Sequence, residues 1–298
     1  MKINVAKSAG FCFGVKRAVR IALETAGSGG KIYMLGDIVH NEDVVSQIEG
    51  KGIQKIKKTG AGTGKRILLI RAHGERLNTV KKARRLGYTI VDATCPMVKE
   101  IHTIAREMEK KGYTVIIIGD AYHDEVRGIK GQLKTKSVVI GPRGRIPVHA
   151  LSRIKKACVV VQSTQNREKV SAILRAIKKQ VKNLRFFNTI CRPTKAKQEE
   201  IKTMPVKNDV MIIIGSKASA NTRRLFEISK TLNKRSYWIQ SKSELKPDYF
   251  RRAKSAGITA GASTPERTTR EVIEHIKKLT RKKGGPKKGD GSIFSQKK

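Results

Sequence analysis

Short runs of β-branched and other apolar residues recur along this chain, and longer amphipathic stretches lie between them. Continuous apolar runs of this length are typical of strands buried on both faces, as parallel sheets require. The runs predict strands over residues 32–35, 67–70, 89–91, 115–118, 138–140, 159–161, 211–214 and 237–239. Apolar residues at helical spacing predict helices over 98–111, 168–181, 222–232 and 266–278. Strands that alternate with helices indicate an α/β fold of parallel βα units.

One pattern near a strand end occurs twice in the sequence. Residues 35–42 (LGDIVHNE) and 118–125 (IGDAYHDE) share an apolar first residue, the Gly and Asp after it, and the later His and Glu. A third apolar run, in residues 212–216, is also followed by glycine. Glycine just past a strand lets the backbone turn sharply, and open parallel sheets bind ligands at the carboxyl ends of their strands. The polar residues after each strand are therefore the candidates for chemistry.

Three cysteines lie at predicted strand-to-helix junctions, Cys12 in GFCFG, Cys95 in DATCP and Cys191 in NTICRP. The closely spaced cysteine pair that is usual in structural zinc sites does not occur. An iron–sulfur cluster held by three thiolates leaves one iron without a protein ligand, and such an iron can act as a Lewis acid. The cysteines therefore predict an enzyme, and the alternative is three buried thiols that only pack. Cys158, within an apolar run, is predicted to be such an inert buried thiol.

The length of 298 residues allows two or three domains. The three cysteines divide the chain into stretches that are each about as long as a small α/β domain. We predict an N-terminal segment plus first lobe over 1–95, a second lobe over 96–191, a third over 192–280 and a basic, disordered tail over 281–298. The N-terminus lacks the apolar segment of a signal peptide and no run is long enough to span a membrane, so we expect a cytoplasmic protein.

The charge is strongly unbalanced, with 65 Lys and Arg against 24 Asp and Glu, a formal net charge of +41. Such a charge attracts nucleic acid, acidic redox proteins and anionic small molecules. Basic residues are spread along the whole chain and aromatic residues make up only 5%, so no basic stripe with stacking residues stands out. We expect only weak, non-specific binding of nucleic acid. The alternative to an enzyme is a basic nucleic-acid-binding protein that keeps this fold without the chemistry.

Three histidines, His40, His73 and His123, follow predicted strands, and Glu125 lies two residues beyond the last of them. Imidazoles can donate hydrogen bonds to phosphate oxygens, and a carboxyl of suitable pKa can relay protons. Other hydroxyl and amide side chains follow a strand or precede a helix, where free N–H groups can bind phosphate. These residues are Ser163, Ser219, Asn221 and Ser263. Ordinary helix capping is the alternative for each one alone.

The order of these motifs along the chain, GFCFGV, VHN, AHG, DATCP, HxE, QST, the Cys191 segment, GSKxSxN and AGASTP, resembles the 4-hydroxy-3-methylbut-2-enyl diphosphate reductase (IspH/LytB) family over about residues 1–280. The resemblance implies a cloverleaf of three α/β lobes around a [4Fe–4S] cluster held by Cys12, Cys95 and Cys191. It also implies the last step of the methylerythritol phosphate route to isoprenoids. In that step two electrons, supplied by an acidic donor such as ferredoxin or flavodoxin, remove an allylic hydroxyl, and isopentenyl and dimethylallyl diphosphate result.

The same resemblance implies roles for the polar residues. Glu125 would be the proton source, with Ser163 hydrogen-bonded near it and near the substrate hydroxyl. The residues that would hold the substrate diphosphate are His40, His73, His123, Ser219, Asn221 and Ser263.

Four positions depart from the family pattern. This chain has Ser163 where the family often has threonine, Ala220 where it often has serine, Asp124 where it usually has proline, and Lys197 where it often has arginine. We expect Asp124 to loosen its loop and, as a like charge, to raise the pKa of Glu125. We expect Lys197 to lose a bidentate contact.

Overall fold

The computed structural model describes residues 1–142 and 144–281, which form three parallel sheets of four strands each. The strands are β1 (Lys2–Val5), β2 (Lys31–Leu35), β3 (Ile53–Ile56), β4 (Arg66–Ile70), β5 (Tyr88–Asp92), β6 (Thr114–Ile118), β7 (Val138–Ile140), β8 (Lys156–Val161), β9 (Asn183–Phe186), β10 (Val210–Ile214), β11 (Ser236–Ile239) and β12 (Ser255–Ala260). Beyond Arg281, the predicted tail lies outside the described residues.

Helices connect most successive strands of the described chain. The exceptions are β3 and β4, joined by residues 57–65 without a helix, and β11 and β12, joined by the short 3-10 helices Lys242–Glu244 and Pro247–Phe250. The α-helices are α1 (Phe13–Ala26), α2 (Glu42–Glu49), α3 (Leu77–Arg85), α4 (Pro96–Lys110), α5 (Asp124–Lys130), α6 (Val148–Ser152), α7 (Arg167–Gln180), α8 (Arg192–Thr203), α9 (Ala220–Leu232) and α10 (Glu266–Arg281). None of these helices is both long and apolar enough to cross a membrane. The predicted α/β class is confirmed, and every predicted strand and helix is present with its ends shifted by no more than three residues.

The second lobe illustrates why these sequences form these elements. Pro96 occupies the first turn of α4, where its missing N–H leaves no hydrogen bond unmade. Val98, Ile101, Ala105 and Met108 then recur at helical spacing, and all are buried. In β6 the side chains alternate between two apolar clusters on opposite faces of the sheet. A strand buried on both faces must be apolar throughout, which is why it appears in the sequence as a continuous run.

All three sheets have the same strand order. The first is β3-β2-β4-β5, the second β7-β6-β8-β9, and the third β11-β10-β12-β1. The N-terminal strand thus fills the place in the third sheet that β5 and β9 fill in theirs, with Lys2–Val5 paired in parallel to Ser255–Ile258. A division of the chain at residues 95 and 191 does not predict that β1 joins the third sheet. Those boundaries remain our proposal for the lobes.

The lobes contact one another just beyond the carboxyl ends of their strands. The first and second are joined by an ion pair between Arg71 Nη1 and Asp124 Oδ2 at 2.6 Å. The second and third are joined by Arg224 Nη2 and Asp120 Oδ2, also at 2.6 Å. These contacts bring the three carboxyl edges together around one central space.

Candidate active site

A single cavity at the junction of the three lobes is lined by every residue that the sequence singled out for chemistry. It encloses about 700 Å³ of empty space, counting the part that opens to solvent. The predicted residues that line it are Cys12, His40, His73, Cys95, His123, Glu125, Ser163, Cys191, Ser219, Asn221 and Ser263. Residues from the two ends and the middle of the chain therefore meet in one place.

Each cysteine reaches the cavity through the same local construction. It follows the strand at one edge of its sheet and stands immediately before a helix, α1, α4 or α8. Its backbone N–H donates to a carbonyl just past the neighbouring strand. The three bonds are Cys12 to Ala262 at 3.1 Å, Cys95 to Ala72 at 2.9 Å and Cys191 to Ser163 at 3.0 Å. All three thiols thus lie at helix N-termini, whose dipoles favour negative charge.

Burial acts against ionisation of two of these thiols, Cys95 and Cys191. It raises the pKa of Cys95 above its usual value and that of Cys191 to about 11. Backbone N–H groups in the first turns of α4 and α8 oppose the shift, and the negative charge of Cys12 adds to it. A thiol in this state gives up its proton when it binds a metal, because the metal replaces the proton as the positive partner.

The arrangement of the thiols fits a cluster of several metal atoms better than a single ion. The three cysteine sulfurs do not all lie within 4.8 Å of one another. Among the histidine, cysteine and acidic side chains of the described chain, only His40, His73 and His123 bring three ligand atoms that close together. Gly14 leaves room for one of the thiols, since a Cβ on that residue would lie 2.4 Å from Cys95 Sγ. Three separated cysteine thiols around an open space match the ligand set of an iron–sulfur cluster.

Lys197 secures the segment that carries Cys12. Its Nζ donates to the carbonyl oxygens of Gly10 at 3.0 Å and Ala260 at 3.1 Å, and also to that of Ser8. Burial lowers the pKa of Lys197 to about 8, while the nearby thiols act to raise it. We expected Lys197 to lose a bidentate contact that an arginine would make. All three protons of its ammonium group are nevertheless donated to backbone carbonyls.

Cys158 lies outside this arrangement, as the sequence predicted. It is fully buried in β8, and burial raises the pKa of its thiol to about 12.

The three histidines form a compact trio on the wall of the cavity. His40 and His73 stack with ring centroids 4.1 Å apart, and the His123 ring stands edge-on to both at 5.2 and 5.5 Å. Burial and mutual repulsion lower the pKa of His73 well below its usual value and that of His123 to about 3. The pKa of His40 is also lowered, chiefly by burial. These lowered pKa values favour the uncharged form of the imidazoles.

Polar atoms near the trio are left without partners. Neither Nδ1 of His73 nor Nδ2 of Asn221 has a hydrogen-bond partner, although both atoms are buried. Ser263 donates from its hydroxyl to the His40 carbonyl at 2.9 Å, and the Ser219 hydroxyl caps α9. Ala220 also lines the cavity, at the first position of α9. Because buried polar groups are almost always satisfied, the free atoms indicate that a polar ligand completes this wall.

Glu125 is almost wholly enclosed, with 2% of its surface exposed. It accepts hydrogen bonds from the Ser163 N–H at 2.6 Å and from the Ser163 hydroxyl at 2.8 Å. Burial raises its pKa to about 7, although both hydrogen bonds act to lower it. The serine that replaces threonine at position 163 therefore keeps the hydroxyl contact, and the carboxyl can hold a proton near neutral pH.

The expected role of Asp124 is wrong on both points. Its carboxylate is neutralised by Arg71 at 2.6 Å, and it does not contribute to the raised pKa of Glu125, whose cause is burial. It also does not loosen the loop, since it begins α5, with the His123 ring accepting from the Glu125 N–H at 3.1 Å. A carboxylate in the first turn of a helix is favoured by the helix dipole.

Sequence reasoning missed several residues of the site. Thr194 contacts a ligand candidate, since Cys191 Sγ donates to its hydroxyl at 3.1 Å. Its position three residues after the cysteine is the usual place for a contact with a helix cap and could have identified it. Met97 and Pro193 also line the cavity. No local signal identifies Arg71, because its partner comes from another lobe.

Comparisons with known proteins agree over more than nine-tenths of the chain. A family model described as LytB protein matches residues 3–277. A 4-hydroxy-3-methylbut-2-enyl diphosphate reductase from Geotalea uraniireducens is 40% identical over 95% of this chain and 99% of that protein. A reductase of the same name from Aquifex aeolicus is 39% identical, over 93% of this chain and 96% of its own.

Two solved structures share the three-lobe architecture. One is an (E)-4-hydroxy-3-methyl-but-2-enyl diphosphate reductase described as the terminal enzyme of the non-mevalonate pathway. It is 37% identical with a TM-score of 0.68, over 93% of this chain and all of that one. The other, an E-1-hydroxy-2-methyl-but-2-enyl-4-diphosphate reductase from Plasmodium falciparum, is 25% identical with a TM-score of 0.85, over 92% and 87%.

Glu125→Gln should change how the free energy of unfolding depends on pH. The folded protein holds the Glu125 proton up to about pH 7, whereas the unfolded chain releases it near the ordinary value of 4.5. This group therefore lowers stability as pH rises through that window. Glutamine has no such proton, and its amide can bond both Ser163 groups. Relative to the unchanged protein, the free energy of unfolding of the variant should increase by up to about 3 kcal/mol between about pH 4 and pH 8. Urea unfolding measures it.

The control is Glu100→Gln, on the exposed surface of α4. Its unfolding free energy should follow that of the unchanged protein across the same range. Parallel curves for Glu125→Gln and the unchanged protein would show that the buried carboxyl does not retain its proton.

Proposed function

The chain belongs to the LytB family, and on that premise we propose that it reduces (E)-4-hydroxy-3-methylbut-2-enyl diphosphate. The reaction takes up two electrons and two protons, releases the allylic hydroxyl as water, and yields isopentenyl or dimethylallyl diphosphate. It is the last step of the methylerythritol phosphate route. The observation that carries the proposal is one cavity with three free thiols, a buried carboxyl and an uncharged histidine trio. The relatives above are reductases, which gives no support to the nucleic-acid-binding alternative.

We propose that Cys12, Cys95 and Cys191 hold a [4Fe–4S] cluster in the cavity. Support comes from their matching position before α1, α4 and α8 and from their open spacing. When bound, such a cluster supplies electrons one at a time and offers one iron without a protein ligand as a Lewis acid. The three helix N-termini and the Lys197 ammonium group favour the negative charge that three thiolates bring.

Glu125 is the proton source in this proposal. Its pKa of about 7 means that a large fraction of the carboxyl is protonated at neutral pH, and this is the condition under which a general acid works well. Ser163 bonds both carboxyl oxygens and thereby fixes the direction in which the proton is presented. The same serine accepts the Cys191 N–H through its carbonyl, so acid and thiol are held in register.

The diphosphate end of the substrate lies against the histidine trio, Ser219, Asn221 and Ser263. The unpartnered atoms of His73 and Asn221 are available to donate to phosphate oxygens. A negative ligand also raises the pKa of the neighbouring imidazoles, so that binding takes up protons and strengthens as pH falls. The high positive charge of the chain favours approach of this anionic substrate and of an acidic electron donor such as ferredoxin or flavodoxin. Nucleic-acid binding remains predicted to be weak and non-specific.

Replacing any of the three cavity cysteines by serine should remove the cluster. Cys12→Ser, Cys95→Ser and Cys191→Ser each lack one thiolate, so iron content and the visible absorption of the anaerobically purified protein should fall sharply. Cys158→Ser is the matched control, because that thiol is buried in a sheet away from the cavity. An equal loss at Cys158, or bound zinc without iron, would contradict the assignment.

Glu125→Gln should abolish most turnover without preventing substrate binding. Glutamine keeps the shape and the hydrogen bonds but cannot release a proton, so turnover should fall by on the order of 10²–10⁴. Turnover is measured with a small chemical reductant, and binding by the change in the visible spectrum on adding substrate. Glu100→Gln again serves as the control. Turnover near that of the unchanged protein would remove Glu125 from the mechanism.

Asn221→Ala should weaken diphosphate binding by about ten- to a hundredfold, since a hydrogen bond to a charged group is worth about 1.5–3 kcal/mol. It should not lower the melting temperature through a lost hydrogen bond, because the Asn221 amide has no donor contact in the protein. Titration with inorganic pyrophosphate and thermal unfolding measure the two effects.

Asn233→Ala gives the opposite pattern and is the control. The Asn233 amide donates to the carbonyls of Pro205 at 3.0 Å and Asn208 at 2.8 Å. This variant should lose stability and keep its affinity for pyrophosphate. Unchanged affinity in Asn221→Ala would exclude Asn221 from the diphosphate site.

A further inference from the structure

The helices that follow the three cysteines expose an unusual set of side chains in their first turns. Phe13, directly after Cys12, is 68% exposed, and Met97, two residues after Cys95, is 38% exposed. Arg192, directly after Cys191, is also exposed. We call the surface formed by Phe13, Lys16, Met97, Arg192, Pro193 and Lys195 the cysteine face.

The cysteine face is separated from the cavity by little more than one layer of side chains. Met97 and Pro193 line the cavity, and Met97 is also exposed to solvent. The first turns of α1 and α4 are close together, because Gly14 lies against Cys95 Sγ and Arg17 Nη1 donates to the Thr94 carbonyl at 3.2 Å. Electron transfer between proteins slows steeply with distance, so this thin wall is the favourable side for electrons to enter.

The charged residues of the cysteine face, Lys16, Arg192 and Lys195, are all basic, and we call them its basic rim. Lys16, Arg192 and Lys195 form no ion pair with any carboxylate in the described part of the chain. Lys16 lies three residues after Phe13 in the first turn of α1, and Arg192 and Lys195 lie in the first turn of α8. Aromatic residues, methionine and arginine are enriched at protein interfaces, and an unpaired basic rim steers an acidic partner into place.

We propose that the cysteine face is the docking surface for a small acidic protein that delivers electrons singly. This inference rests on the proposed function, because only a redox centre behind the face gives such a partner a purpose. The small size of the apolar centre suits it, since redox partners form weak, short-lived contacts that bury less than about 1,200 Å² in total. Charge complementarity with the basic rim selects the acidic class of carrier.

Tyr122 offers the main rival surface. It is 93% exposed, and it lines a second cavity together with His123, which also lines the central one. A carrier seated there would be beside the histidine trio and not beside the cysteine helices. The cysteine face is favoured because its residues are neighbours of all three thiols in sequence.

The test compares two reductants of the cluster-loaded protein. Reduced methyl viologen needs no docking surface, whereas a reduced plant-type ferredoxin, an acidic carrier, does. In Phe13→Ser the apparent KM for ferredoxin should rise about five- to tenfold, the effect of truncating an interface anchor. In Lys16→Glu/Arg192→Glu it should also rise, and its dependence on salt should flatten. Turnover with methyl viologen and the iron content should stay unchanged in both variants.

Binding is measured separately, with gallium-substituted ferredoxin, which carries no electrons, by titration calorimetry. Its dissociation constant should rise in the same variants by a similar factor. The matched controls are Val206→Ser, which also replaces an exposed apolar residue by serine, and Lys51→Glu/Lys234→Glu, which also reverses two positive charges, at exposed positions preceding β10, β3 and β11. These positions lie at the amino ends of strands, opposite the cavity.

Unchanged ferredoxin binding and KM in the cysteine-face variants, or a larger effect of Tyr122→Ser, would overturn the proposal. The underlying function is tested by a different result. If the unchanged, cluster-loaded protein fails to reduce the diphosphate substrate even with methyl viologen, the proposed reaction is wrong, and the calorimetric comparison still decides where ferredoxin binds.

Discussion

The structure depends on a hydrogen bond that is made three times, from the backbone N–H of a cysteine to a carbonyl just past the neighbouring strand. In each lobe this bond ties the exit of the edge strand to the exit of the strand beside it. The helix after each cysteine can then begin at the cavity, with its N-terminus behind the thiol. The third sheet can repeat this geometry only because β1 crosses the length of the chain to complete it. The N-terminal strand is therefore part of the site's foundation.

Burial at this junction sets the electrostatics of the whole cavity. It raises the pKa of Glu125 and of two cavity thiols, and it lowers the pKa of the three histidines and of Lys197. Each shift favours the uncharged form, because a charge loses its hydration when it is enclosed. The result is a cavity whose buried groups are shifted towards their uncharged forms, inside a chain of net charge +41. Such a cavity is prepared to take an anionic ligand and a thiolate-bound cofactor, whose charges replace the missing water.

The unusual residues of this chain are each stabilised by a partner in another segment. Asp124 is paired with Arg71 of the first lobe, and Lys197 binds carbonyls of the N-terminal segment and of β12. Ser163 keeps the contact to Glu125 through its hydroxyl. Substitutions that would be disruptive in an isolated loop are tolerated here because the three lobes meet and supply complementary groups.

The sequence by itself determined the elements whose burial is periodic and local. Strands such as β6 are buried on both faces and therefore appear as apolar runs, and α4 shows its buried face at helical spacing. Strands β1, β3 and β9 were missed because they are edge strands with exposed polar positions. Central β12 was missed because its residues are small. At Gly257 an added Cβ would lie 2.3 Å from Met211 Sδ, so packing against β10 excludes the large apolar residues that reveal a strand. The motif order also identified the cavity residues and the family. Only the tertiary structure decided that β1 completes the third sheet, that Arg71 neutralises Asp124, and that burial sets the pKa of Glu125. These effects arise between segments distant in sequence, and their energies depend on distance and dehydration, which no local pattern records.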